Sequence, residues 1–347
     1  MADDPRRVPI IRAALTLALG LGLVAGCGGP PPSVFEQAAL KGHTKEVVAL
    51  AFAPDGRSIA SRGPDAVKVW DVAARRESAT FPSDGSDFGG LAFSTDGTTL
   101  AANRSAAGAV AWDLATGRER AAYSYPSAGI GRPADPNSTG WGIAYSPDGR
   151  TLAGGGGYSG EQGFVTLWDV ATGAGIELGP YPRPVTTVAF RPDGMTLASG
   201  SMGGAIDLWD VPSRTRRRRI EAGRSYLAPV CFSPDGRTLA AATDDRWVRL
   251  WDVDSGREVG SLKGHLKGIL SVAYHPEGRF LASADSGGTL FLWDVPGRRT
   301  VARLMGHQGK IWAVAFSPDG KTLASAGEDR SVRLWDVSAT VGAATGR

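Results

Sequence analysis

One dipeptide recurs seven times along the chain: Trp70-Asp71, Trp112-Asp113, Trp168-Asp169, Trp209-Asp210, Trp251-Asp252, Trp293-Asp294 and Trp335-Asp336. Successive copies lie 42, 56, 41, 42, 42 and 42 residues apart. A fixed period of this size means one supersecondary unit copied along the chain, each copy burying its faces against its neighbours. The 347 residues would otherwise suggest two domains, but the repeat predicts a single array that takes up nearly the whole chain.

The unit has a constant grammar, clearest in the last copy: Gly306-His307, Ile311 to Phe316, Ser317-Pro318-Asp319-Gly320, Thr322 to Ser325, Glu328-Asp329-Arg330 and Val332 to Trp335. Short apolar runs rich in Val, Leu, Ala and aromatics, bounded by Pro-Asp-Gly or Asp-rich punctuation, read as strands joined by tight turns. The Asp-Gly turn recurs at Asp55-Gly56, Asp96-Gly97, Asp148-Gly149, Asp193-Gly194 and Asp235-Gly236, with Glu277-Gly278 as a weaker copy.

With Gly-His and Trp-Asp marks at this period, the chain from Val34 to Ser338 resembles the WD-repeat (WD40) family of β-propellers. The resemblance implies an all-β chain: a seven-bladed β-propeller of four-stranded antiparallel blades. It implies too that Phe35 to Leu40 closes the ring as a strand of the last blade, which leaves no open sheet edge there. No helix signal is expected in the propeller, assigned to 34–340, or in a tail at 341–347. Because neighbours pack on both faces of a blade, strict polar alternation is not expected along the inner strands.

The family's blades carry a hydrogen-bond set of His, Ser or Thr, Asp and Trp. It maps onto His43, Ser61, Asp65 and Trp70 in blade one, and onto His307, Ser325, Asp329 and Trp335 in blade seven. Blade six has His265, Ser283 and Trp293, but Gly287 stands where the Asp is expected. Blade five keeps Asp245 and Trp251 with Ala241 at the Ser position, and blades two to four place Ala102, Gly154 and Gly203 at polar positions. Those blades are expected to depend more on packing between neighbours.

Ahead of the repeats, Arg6, Arg7 and Arg12 precede an uncharged run from Ala13 to Val24 and then Ala25-Gly26-Cys27. A basic region, a short apolar stretch and a small-residue site describe a secretory signal, too short to span a bilayer as a helix. Val24-Ala25-Gly26-Cys27 resembles the lipobox of bacterial lipoproteins. Residues 1–26 are therefore expected to be a signal peptide, with Cys27 lipidated and 27–33 a Gly/Pro tether. The expected location is a membrane-anchored lipoprotein facing the periplasm or cell exterior. Alternatives are an uncleaved anchor, or a Cys that happens to follow an ordinary signal.

The third blade is longer by 14 residues, about ten of them within Tyr123 to Gly140 and the others between Gly154 and Gly163. Propeller insertions map to surface loops and serve either binding or nothing. A formal charge of +3 is a mild excess of base, concentrated in Arg214, Arg216, Arg217, Arg218 and Arg219. These suit a solvated edge strand or contact with anionic headgroups; export argues against nucleic acid. Two cysteines make no disulfide framework, and Cys231 is expected as a buried free thiol.

Enzyme signatures are weak. Gly155, Gly157 and Gly160 match G-x-G-x-x-G, but no helix pattern follows to receive a phosphate. His43, His265 and His307 occupy equivalent places in separate blades and His275 sits beside a turn, so the histidines cannot converge on a metal or a reaction. No cofactor is expected.

What remains is a binding face, which the family commonly places around the channel mouth. Trp141 and Trp312 stand where the other copies have Val48, Gly89, Thr186, Ala228 and Leu270. Trp247 with Arg246, and Arg330, fall in the turns after the second strand. They are candidates for a partner-binding hot spot; the alternative is that the large rings are core. The expected function is a non-catalytic protein-protein interaction scaffold, monomeric, with an unidentified protein partner and the membrane anchor. A propeller that binds or hydrolyses a small ligand or carbohydrate at its channel mouth is the alternative.

Overall fold

The computed structural model describes residues 34–87, 89–104, 108–126, 139–157, 162–223 and 229–345. The signal, Cys27 and the tether fall outside the described residues, as do Ala228, Gly160 and most of both third-blade insertions.

Each repeat makes one sheet. In blade one, β2 (Ala49–Phe52), β3 (Ser58–Arg62), β4 (Ala66–Asp71) and β5 (Arg76–Pro82) pair antiparallel in chain order. The first turn closes when the Gly56 amide donates to the Ala53 carbonyl at 2.9 Å and Asp55 accepts from the Arg57 amide. Gly56 takes a φ of 69° there, a conformation that a side chain resists. At the third strand's end the repeat Asp turns the chain outward: Asp71 accepts from the Ala74 amide at 2.8 Å, and Asp113, Asp169, Asp210 and Asp252 do the same in their blades. The Asp of Trp-Asp is thus a turn cap.

Seven such four-stranded sheets form the ring. The last consists of β26 (Ile311–Phe316), β27 (Thr322–Gly327), β28 (Ser331–Asp336) and, from the other end of the described chain, β1 (Phe35–Lys41). β1 pairs with β28 from Phe35↔Asp336 to Lys41↔Ser331, and Arg333 pairs with Glu36 at 2.6 Å. The expected closure is therefore observed. On the inner side, the Val47 amide donates to the Gly327 carbonyl at 3.0 Å.

The core is divided among the interfaces between blades. At the closing one, Val47, Ile59 and Trp70 of blade one meet Ala324, Ala326 and Leu334 of blade seven, and the other six interfaces have clusters of their own. The second strands are buried along most of their length, as in Phe280–Asp285. This explains the near-continuous apolar runs.

One element carries no signal in the sequence: a helix, α1, covers Ser338–Thr345. Asp336 accepts from the Ser338 amide at 2.9 Å, and Val337 and Val341 pack into the cluster between blades six and seven. Tertiary packing stabilises eight residues too short to hold a helix alone.

Candidate interaction site

Blades one and seven contain the complete polar sets. The Trp70 indole N–H donates to Ser61 Oγ at 2.7 Å, Ser61 meets His43 Nε2 at 2.8 Å, and His43 Nδ1 meets Asp65 at 2.9 Å. In blade seven the corresponding distances through Trp335, Ser325, His307 and Asp329 are 2.8, 2.7 and 3.0 Å. An indole only donates and a carboxylate only accepts, so the protons run one way, from Trp to Ser to His to Asp. This order requires a neutral imidazole protonated on Nδ1. Burial pushes the pKa of both histidines down, against the pull of their aspartates.

Blade six corrects the sequence expectation. Gly287 does stand in the turn, but the carboxylate comes from Asp285, the last residue of the second strand. It meets His265 Nδ1 at 2.8 Å and accepts from the Gly287 and Thr289 amides. Two residues beyond Ser283 on a strand is the same face, so the buried Asp285 reaches the ring from the strand instead of the turn.

Blade four holds a set that the sequence reading missed. Tyr181 lies 18 residues before Ser199, the separation of His43 from Ser61. Its phenol accepts from the Trp209 indole at 2.5 Å and meets Ser199 Oγ at 2.7 Å. With a hydroxyl in place of the imidazole no carboxylate is required, consistent with Gly203 in that turn. In blade three, Gly154 leaves room for Trp168: a Cβ there would lie 2.5 Å from its ring, and the indole donates to the Ser124 carbonyl at 2.8 Å. In blade two, Trp112 stacks on Phe81 at 5.1 Å. Blade five keeps Asp245, which takes Arg249 and the Thr243 hydroxyl as partners.

Arg62 was also missed. It is 1% exposed at the end of β3, where its guanidinium donates to the Asn103 carbonyl at 2.5 Å and to Asp84 at 2.8 Å. It ties blade one to blade two beside the channel. Nothing in its own segment announces this, because both partners belong to the next repeat.

The channel mouth is lined where the first strands enter. Val48, Gly89, Trp141, Thr186, Leu270 and Trp312 surround a cavity of about 240 Å³. Trp141 and Trp312 are thus brought to one place, both half-buried. The Trp312 indole donates to Glu46 of blade one at 2.7 Å, and Lys310 Nζ lies 5.1 Å from the ring centre. Trp247 is elsewhere, on the outer part of blade five, with Lys263 Nζ 3.8 Å from its ring centre. Arg246 reaches the Leu266 carbonyl at 3.3 Å, and that Leu266 is 79% exposed. Arg330 is exposed in its own turn. The five residues therefore form a pair in the mouth and outliers along the rim.

The arginine-rich segment is the outer strand β17 (Thr215–Glu221) of blade four. Arg219 forms a two-pronged pair with Asp207 at 2.8 Å, which Arg216 also approaches, and Arg217 pairs with Asp210. Much of the charge is thus neutralised within its own blade. Cys231 is a free thiol, partly buried and packed beside Tyr274; desolvation pushes its pKa up to about 12. Gly155 and Gly157 lie within the strand Thr151–Gly157. His275 donates to the Gly320 carbonyl of the next blade at 3.0 Å and accepts from the Glu277 amide, a structural role. Among the described residues, no group of His, Cys, Asp and Glu could hold a metal ion, and no helix is long and apolar enough to cross a membrane.

Comparison with known proteins agrees with this architecture. The family model described as WD domain, G-beta repeat matches residues 35–71, 178–210, 230–252, 256–294 and 298–336. Blade two and the first three strands of blade three fall outside the matched residues. The chain is 29% identical to Periodic tryptophan protein 2 of Arabidopsis thaliana over 220 residues, covering 53% of this chain and 24% of that protein. It is 32% identical to WD repeat-containing protein VIP3 of the same plant over 166 residues (46% and 50%). It is 29% identical to Striatin-4 of Mus musculus over 204 residues (56% and 25%). The chain thus spans a quarter to a half of the length of these relatives.

Proposed function

This chain carries WD40 repeats in a closed seven-bladed ring, and from that premise we propose that it is a non-catalytic protein-interaction scaffold, a monomer, whose partner docks over the channel mouth. The observation that carries the reading is the meeting of Trp141 and Trp312 in one cavity, with Glu46 and Lys310 beside the second ring. Half-buried aromatics ringed by polar groups have the composition of interaction hot spots. At about 240 Å³ the mouth falls below the ~300–1,000 Å³ of typical small-molecule sites. That favours a docking face over the small-ligand alternative at this position. Arg246, Trp247 and Arg330 supply the rim of the same face.

The scaffold is proposed to be tethered outside the cytoplasm through a lipid on Cys27, on the strength of the apolar run and Val24-Ala25-Gly26-Cys27 alone. Labelled palmitate should enter the wild type and not Cys27→Ala; equal labelling removes the anchor from the proposal. For the docking face, crosslinking in native membranes followed by mass spectrometry should recover a partner with wild type. Trp312→Ala and Trp141→Ala, with unchanged circular dichroism, should lose it. Undiminished capture by both folded variants would move the site off the mouth.

A further inference from the structure

A second cavity, of about 710 Å³, opens between blades two and three, among the turns that join first to second and third to fourth strands. The mouth lies at the other end of the first strands. Two departures from the repeat shape its lining. The residue before Trp-Asp is Val69, Leu167, Leu208, Leu250, Leu292 or Leu334 in six blades but Ala111 in blade two. The first turn has a proline at Pro54, Pro147, Pro192, Pro234, Pro276 and Pro318, but Thr95 in blade two. Ala111 and Thr95 both line the cavity.

Its polar lining is close to balanced. Asp96, Asp148 and Asp169 supply acceptors, and Arg120 and Arg150 supply donors. In all three carboxylates the turn donors fall on Oδ1, which leaves Oδ2 to accept. Arg120 reaches the Thr99 hydroxyl at 3.2 Å. The Tyr145 phenol also lines the cavity, and burial raises its pKa. Ala111, Ala121 and Val170 form an apolar patch beneath.

An anion here would face three carboxylates, and a cation two guanidiniums. Hydroxyl groups, which both donate and accept, match such a lining, and the patch suits the apolar face of a sugar ring. We propose that this cleft binds a neutral polyhydroxylated ligand, a sugar unit. The cleft between blades seven and one is nearly as large, about 650 Å³, but its lining stops at the turns: Asp55, Arg57, Asp71, Asp319 and their neighbours, with no tyrosine and no alanine patch from deeper strands. It serves as an internal control.

The test is calorimetric titration of the full chain with D-glucose, N-acetyl-D-glucosamine and their β-1,4-linked tetramers. Saturable binding of at least one is expected. Arg120→Ala, at an exposed position, should weaken it by about tenfold, the worth of a charge-assisted hydrogen bond. Ala111→Leu, which installs the side chain most other blades carry, should abolish it, and Arg57→Ala in the control cleft should leave it unchanged. If Ala111→Leu does not fold, Arg120→Ala decides. No saturable heat with any of these sugars overturns the proposal. So does binding that survives Arg120→Ala undiminished, or that is lost only in Trp312→Ala.

Discussion

At the scale of single residues, the polar sets make predictions that depend on which atom supplies each hydrogen bond. Asp285→Ala strands a buried imidazole N–H and two amides in blade six, so it should lower stability by about 2–3 kcal/mol in urea denaturation. Gly287→Ala, at the position where the carboxylate was expected, should cost less than Asp285→Ala, because its Cβ breaks no hydrogen bond and needs only the exposed Lys267 side chain to shift. Tyr181→Phe should cost about 1 kcal/mol, since Trp209 keeps Ser199 within 3.2 Å. Tyr181→His should not recover it without a carboxylate at Gly203. Acid acts on the histidines together. His43, His275 and His307 have pKa values lowered by burial, so the unfolded chain takes up their protons first. Their contribution is complete above the ordinary value of 6.5 and is lost as pH falls through the folded values. The urea midpoint should therefore be flat near neutrality and decline below about pH 6.5, with part of the slope removed in His275→Gln.

At the scale of elements, the ring's seam joins the two ends of the described chain. β1 supplies the outer strand of blade seven, and Arg333 with Glu36 and Val47 with Gly327 fasten it. Deleting residues 35–41 leaves β28 as an unpaired edge, which other chains can join. Light scattering should then show concentration-dependent oligomers where the parent stays monodisperse. In blade four the buried Asp207 is held by Arg219 and Arg216. Arg219→Ala should destabilise that blade by about 2–4 kcal/mol, because it leaves a buried carboxylate short of a partner, whereas Arg214→Ala in the exposed turn should be near neutral. Removing charge from β17 thus tests a structural role that composition alone assigned to solvent or headgroups.

At the scale of the molecule, stability lies between the blades, so damage at one interface should be felt around the circle. Trp70→Ala empties the closing cluster at a cost of about 3–5 kcal/mol, and thermal unfolding should remain one transition at lower temperature instead of splitting. The number of repeat units and their strand-turn grammar were legible in the sequence because they rest on local signals, turn residues and apolar runs at a fixed period; strand order and closure, which pairs Phe35 with Asp336, were implied by the family resemblance those signals carry. The sets of blades one and seven were implied by the same resemblance, since each lies within one repeat and its residues match the family's positions one by one. What the sequence left open were groups that reach a common point from unexpected places: Asp285 from a strand, Tyr181 in place of an imidazole, Arg62 across a blade boundary, and α1 against the outer wall. Trp141 and Trp312 were expected at equivalent places by the mouth, but that they line one cavity, and that Ala111 and Thr95 line another, follows only from the packed ring. The repeat determines each wedge through short-range chemistry; which side chains face one another across a gap depends on how the wedges pack, and only the tertiary structure decides that.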